Sequence, residues 1–208
     1  MKKIKRSKKS RTWVIKQHRD PFFKKSKTLG YRSRSAFKLI ELNKKFKFLK
    51  KNNNLLDIGS SPGGWAQVAI KNISKGKVLS IDIKNMEEVK NVSFIRCDFF
   101  EKETKSKILE HFGCKLDVII SDMAANTTGN KDLDCIRTNQ LCMEVITFSS
   151  KILKNDGIVI AKLFMGQDFL DVKKLAKEKF KNVQFFKPEA SRDESKETYI
   201  HCSSLKTL

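Results

Sequence analysis

The chain has 208 residues, is 39% hydrophobic and carries a formal net charge of +21. That length suits one domain with a sizeable core. Five scattered cysteines without a C-x-x-C pair argue against a disulfide framework and against zinc, and no apolar run approaches membrane-spanning length.

The charge is unevenly placed. Residues 1–51 hold 20 Lys/Arg against Asp20 and Glu41, a net +18, and the rest of the chain, with 24 basic and 21 acidic residues, is only +3. Such a block is the electrostatic footprint of phosphate-backbone binding. It lacks the apolar stripe of an interfacial helix and the apolar run of a secretory signal. Residues 1–30 read as a basic, extended, partly mobile arm with a short helix around Trp13–His18. The aromatics Trp13, Phe22 and Phe23 either stack on RNA bases or anchor the arm. The domain proper spans residues 31–208.

A helix is expected from about Arg32 to Lys47, capped by Ser33 or Ser35, with Phe37, Ile40 and Phe48 on an apolar face and Lys38 on another. Strand Leu55–Ile58 then runs into Gly59-Ser-Ser-Pro62-Gly63-Gly64 and a helix over Trp65–Ile73. Strands follow at Val78–Asp82 and Val92–Arg96, a helix at Lys102–Phe112 and a strand at Leu116–Asp122. A polar loop is expected at Ala124–Asp134, then a long helix over about Ile136–Leu153. Asn155-Asp156-Gly157 reads as a turn before strand Ile158–Lys162. Helix Phe169–Phe180, strand Val183–Phe186 and strand Thr198–Cys202 complete the chain.

Alternating strands and helices predict an α/β domain with helices on both faces of a parallel sheet. The loop before the last strand is too short for a parallel crossover, so that strand must run antiparallel to its predecessor. Seven strands, mostly parallel with the last reversed, form the pattern of the Rossmann-like fold of S-adenosylmethionine-dependent methyltransferases.

The glycine turn lacks the G-x-G-x-x-G spacing of a dinucleotide site and the Lys-Ser/Thr of a P-loop. A nucleoside-like ligand without a pyrophosphate, such as S-adenosylmethionine, suits it. Ligands in open α/β sheets gather at the carboxyl ends of the strands, which here carry Asp57, Asp82, Asp122 and Lys162, with Asp98 close by. A reversed final strand brings Glu197 to the same edge. Asp82 follows Gly63 by 19 positions, the spacing of an acid that accepts from ribose hydroxyls. Asp98 can accept from an adenine amino group; either acid can instead cap a helix. Lys162 ends an apolar strand, where a charged amine is costly unless paired or used. Burial, or a neighbouring cation such as Lys38, favours its base form, with Asp122 and Glu197 to orient it.

These stretches resemble the FtsJ/RrmJ (RlmE) family of ribosomal RNA 2′-O-methyltransferases from Arg32 to Cys202. The resemblance rests on Arg32-Ser-Arg-Ser-Ala-Phe-Lys38, Asp57-Ile-Gly-Ser-Ser-Pro-Gly-Gly-Trp65, Ser121-Asp122-Met-Ala-Ala-Asn126, Lys162-Leu-Phe and Ser191-Arg192 through Glu197-Thr-Tyr199. It implies a catalytic tetrad of Lys38, Asp122, Lys162 and Glu197, and cofactor contacts at Gly63, Trp65, Asp82, Asp98 and Asp122. It further implies a uridine of the A-loop of large-subunit (23S-type) rRNA as target, acted on in the 50S-type particle by a cytoplasmic monomer without a metal. Ala125 stands where the family usually has proline. The alternatives are a non-catalytic RNA-binding or ribosome-assembly factor, and a tRNA methyltransferase.

Overall fold

A computed structural model describes residues 20–206. The elements in chain order are α1 (Pro21–Thr28), α2 (Ser35–Phe46), β1 (Leu55–Ile58), α3 (Gly64–Asn72), β2 (Val78–Asp82), β3 (Ser93–Arg96), α4 (Lys102–Phe112), β4 (Leu116–Ser121), α5 (Lys131–Ile152), β5 (Leu153–Phe164), α6 (Phe169–Lys179), β6 (Phe180–Phe186) and β7 (Glu197–Leu205). They form one seven-stranded sheet in the order β3-β2-β1-β4-β5-β7-β6. Strands β1 to β5 pair in parallel, and β7 runs antiparallel to both β5 and β6. The chain moves outward from β1 to β3, then returns to place β4 on the other side of β1. That reversal opens a crevice at the carboxyl ends of the strands.

Side-chain alternation along the strands sorts the core into two layers. Leu56 and Ile58 of β1 pack with Ile108, Ile146 and Val172, on the face covered by α4, α5 and α6. Leu55, Val118 and Ile160 pack with Leu39, Leu42, Trp65 and Val68, on the face covered by α2 and α3.

Several local expectations are corrected. Residues 21–28, expected in an extended arm, are helical: Asp20 caps α1 by accepting from Phe22 N and Phe23 N, with Pro21 in the first turn. The short helix expected at Trp13–His18 lies outside the described residues. Neither Ser33 nor Ser35 caps α2; Arg34 is the N-cap residue, and the two serine hydroxyls bond each other at 2.6 Å. The buried residues of α2 are Ala36, Phe37, Lys38, Leu39 and Leu42, so Phe37 is buried as expected, whereas Ile40 is exposed and Lys38 is buried. The long helix starts at Lys131 rather than near Ile136, because Asn130 Oδ1 accepts from Asp132 N and Leu133 N. The turn signal Asn155-Asp156-Gly157 sits in a bulge of β5. Leu153 pairs with Leu116 and Ile158 with Val118, so four residues oppose Asp117 alone. Among the described residues no helix is long and apolar enough to cross a membrane.

Candidate active site

The crevice holds a cavity of about 340 Å³ lined by the ends of β1, β2 and β4: Ile58 and Gly59, Ile81 and Asp82, then Asp122 and Met123. Asp98 and Phe99 after β3, and Leu141 of α5, complete its walls. Gly59 has φ +79°, a backbone state that suits glycine, and a Cβ there would overlap Met123 Cγ. Ser61 N and Lys84 N donate to the two oxygens of Asp82 at 2.8 and 2.7 Å. Phe100 N donates to Asp98 Oδ1 at 2.9 Å. Backbone N–H groups thereby orient both acids in the cavity lining, Asp82 at the end of β2 and Asp98 just past β3.

Asp122, in the cavity wall, also belongs to a cluster of four charged side chains from remote parts of the sequence, with Lys38, Lys162 and Glu197 behind it. Lys162 Nζ donates to the Asp122 carbonyl at 2.8 Å and to Asp122 Oδ1 at 2.9 Å. Lys38 Nζ lies 2.6 Å from Glu197 Oε1, and Lys162 Nζ lies 3.8 Å from Glu197 Oε2. Two ammoniums and two carboxylates balance, which lets the set stay buried. The strand geometry explains the convergence. Lys162 pairs with Tyr199 across β5 and β7, and Glu197 lies two residues from Tyr199 on the same face. Lys38 descends onto that face from α2. Burial works to raise the Asp122 carboxyl; Lys162, Lys38 and the Tyr199 hydroxyl outweigh it and hold the group below the usual carboxylate range.

Gly63 and Trp65 do not line the cavity. Gly63, at φ +104°, is the N-cap residue of α3, and its N–H donates to Ser60 O at 2.7 Å. The Trp65 side chain is core: its indole N–H donates to Ser35 O at 2.8 Å, and its ring lies 5.7 Å from that of Tyr199. Asp57 is buried below the cavity, outside its wall.

Three participants escaped the sequence reading. Tyr199 Oη donates to Asp122 Oδ1 at 2.6 Å; its place two residues after Glu197 on one strand was the available signal. Ser191 Oγ donates to Glu197 Oε1 at 2.8 Å. Arg32 braces the glycine turn, with Nη1 donating to Pro62 O and Glu87 O and Nη2 to Glu88 O. Arg32 and Ser191 stand in stretches that carry the family resemblance, but nothing in the sequence assigned either of them a contact.

The FtsJ-like methyltransferase family model matches residues 31–205. A Pelagibacter ubique protein, ribosomal RNA large subunit methyltransferase E, is 44% identical over 203 residues, covering 98% of this chain and 100% of that one. Its namesake in Rickettsia akari is 42% identical, covering 94% and 89%. A Plasmodium falciparum crystal structure assigned as a ribosomal RNA methyltransferase superposes with TM-score 0.75 at 34% identity, over 84% of this chain and 98% of that one. A Streptococcus mutans methyltransferase solved with SAH shares the fold at TM-score 0.51 and 16% identity, over 80% and 97%.

Proposed function

The chain belongs to the FtsJ-like methyltransferase family, and from that premise we propose that it methylates a ribose 2′-hydroxyl in large-subunit ribosomal RNA, with S-adenosylmethionine as donor. The expected target is a uridine of the A-loop, acted on within the 50S-type particle by a monomer in the cytoplasm. One observation carries the reading: Asp122 both lines the nucleoside-sized cavity and bonds the buried Lys162 amine.

The cavity suits the donor. Its walls are largely apolar, three carboxylates, Asp82, Asp98 and Asp122, stand in the lining, and among the described residues Lys84 is its one cation. That set matches an adenosine with a sulfonium better than a phosphorylated nucleotide. Asp82 would hold the ribose hydroxyls and Asp98 the adenine amino group, with Gly59 and Ser61 closing the glycine turn over it. Gly63 acts through the turn it shapes and Trp65 through the core beneath it. The donor supplies an activated methyl group, so the protein's task is chiefly to place the acceptor oxygen.

Lys162 Nζ, once it has released one proton of its ammonium to solvent, takes the proton of the acceptor hydroxyl as the methyl group moves to the oxygen. Asp122 grips that amine through two oxygens and fixes its direction. Glu197, held by Lys38, supplies the second carboxylate at longer range. Lys38, buried and paired with Glu197, balances that carboxylate's charge within the cluster. The +18 block of residues 1–51 supplies the attraction for a phosphate backbone.

Labelled donor and large-subunit particles from cells lacking the gene test this directly. Methyl incorporation should map to a ribose 2′-oxygen. Lys162→Ala should bind the donor normally and lose at least about 100-fold in turnover, as expected on removal of a general base. Near wild-type turnover in that variant would remove the assigned role. A wild-type chain that binds RNA but transfers no methyl would favour the assembly-factor reading.

A further inference from the structure

Glu197 is held by more than the two lysines. The oxygen that takes Lys38 Nζ at 2.6 Å, Oε1, also accepts from Ser191 Oγ at 2.8 Å. Ser191 is 3% exposed and lies in the loop between β6 and β7. That loop is itself tied down. Ser191 N donates to Pro188 O at 2.9 Å. Glu189 N and Ala190 N donate to the two carboxylate oxygens of Glu41 at 2.6 and 3.1 Å. Arg34 Nη2 donates to Ala190 O at 2.5 Å, and Arg34 Nη1 is anchored on Asp20 at 2.8 Å.

Arg34, Lys38 and Glu41 recur at intervals of four and three, so they share one face at the start of α2. One helix face therefore grips both the carboxylate and the loop that reaches it. We propose that Ser191, seated by Glu41 and Arg34, is the positioning residue for Glu197. It fixes the rotation of the carboxylate so that Oε1 faces Lys38 while Oε2 stays 3.8 Å from Lys162. The inference rests on the four charged residues being the catalytic centre.

The physical case is a competition for one carboxylate. A charge-assisted hydrogen bond shortens when geometry allows, and Lys162 is the nearest ammonium not yet in close contact with Glu197. Without the Ser191 hydroxyl, Oε1 keeps only Lys38 and the carboxylate is free to turn toward Lys162. A closer Lys162–Glu197 pair pulls Nζ from the position that Asp122 gives it. Displacements of about 1 Å in a positioned group can cost about 100-fold in rate.

The test is a kinetic comparison on large-subunit rRNA particles, with donor affinity measured in parallel. Ser191→Ala should lower kcat about 10- to 100-fold while the KM for RNA and the Kd of the donor stay within about twofold. Ser191→Thr, which keeps the hydroxyl, should recover most of the rate. Glu41→Ala, remote from the reacting atoms, should reproduce the loss in kcat at unchanged donor affinity. The proposal stands if Ser191→Ala lowers kcat at constant KM and either companion behaves as stated. Every other pattern overturns it, including wild-type kcat in Ser191→Ala or a loss in KM alone. Lys162→Ala runs beside them. If that variant stays active, the catalytic reading itself fails. If it is inactive while Ser191→Ala turns over normally, only the positioning role is lost.

Discussion

Replacing Asp57 by asparagine should stabilise the protein, and by more at higher pH. Asp57 is 1% exposed on β1. Ser80 Oγ lies 3.3 Å from its Oδ2, and its buried Oδ1 has no hydrogen-bond partner. Burial pushes the carboxyl from 3.8 up to about 8; the Ser80 hydroxyl opposes the rise, and Asp122 and Asp82 add to it. A raised folded-state value means that the fold holds a proton which the unfolded chain has released. The contribution to stability is then whole below about pH 4 and is lost progressively as pH climbs toward 8. A shift of about four units, at about 1.4 kcal/mol each, sets an upper limit of about 6 kcal/mol.

Asparagine has nearly the same shape, can still accept from Ser80 and cannot ionise, so it loses nothing over that window. Urea unfolding of both proteins at pH 5, 6, 7 and 8 reads the effect. Groups that titrate alike in both proteins cancel in the difference. That difference should widen in the variant's favour by about 1 kcal/mol per pH unit. A difference that stays flat from pH 5 to 8 would show that Asp57 is ionised in the fold, and would refute the reasoning.

Gly59→Ala should lower stability by about 1–2 kcal/mol in thermal unfolding, the cost of a left-handed residue with a Cβ, and should weaken donor binding in titration calorimetry, because that Cβ overlaps Met123 Cγ and displaces a side chain of the cavity wall. Tyr199→Phe removes the hydroxyl that donates to Asp122 at 2.6 Å and should lower stability by about 1–3 kcal/mol in thermal unfolding. The same change bears on acid tolerance. The lowered Asp122 value contributes stability that is present above the usual carboxylate range and lost as pH falls, so Tyr199→Phe should move the acid unfolding midpoint upward. Asp20→Ala should cost about 1–2 kcal/mol through loss of the α1 cap and should speed amide exchange across Pro21–Thr28, since Phe22 N and Phe23 N lose their acceptor.

What the sequence determined by itself was the periodic part of the molecule. Strands such as Leu55–Ile58 and Val78–Asp82 and the helix Lys102–Phe112 were legible to the residue, because short apolar runs between turn signals have few other ways to satisfy their backbone. The reversal of the last strand followed from loop length. The acids and the lysine at strand ends were legible for the same reason: strand boundaries fix which residues reach the carboxyl edge.

Only the tertiary structure decided that β7 inserts between β5 and β6, and therefore that Lys162 pairs with Tyr199 and meets Glu197. Strand order is set by how separate segments pack, and no single segment encodes it. The same holds for Lys38, which the helical pattern put on a different face from the apolar one. It is buried because Glu197, 159 residues later, supplies a counter-charge there. Trp65 sits in the core rather than at the cavity because Ser35 O and the Tyr199 ring fill its surroundings from elsewhere in the chain. Local chemistry named the groups; long-range packing chose their partners, since a buried charge or ring settles wherever the folded chain satisfies it.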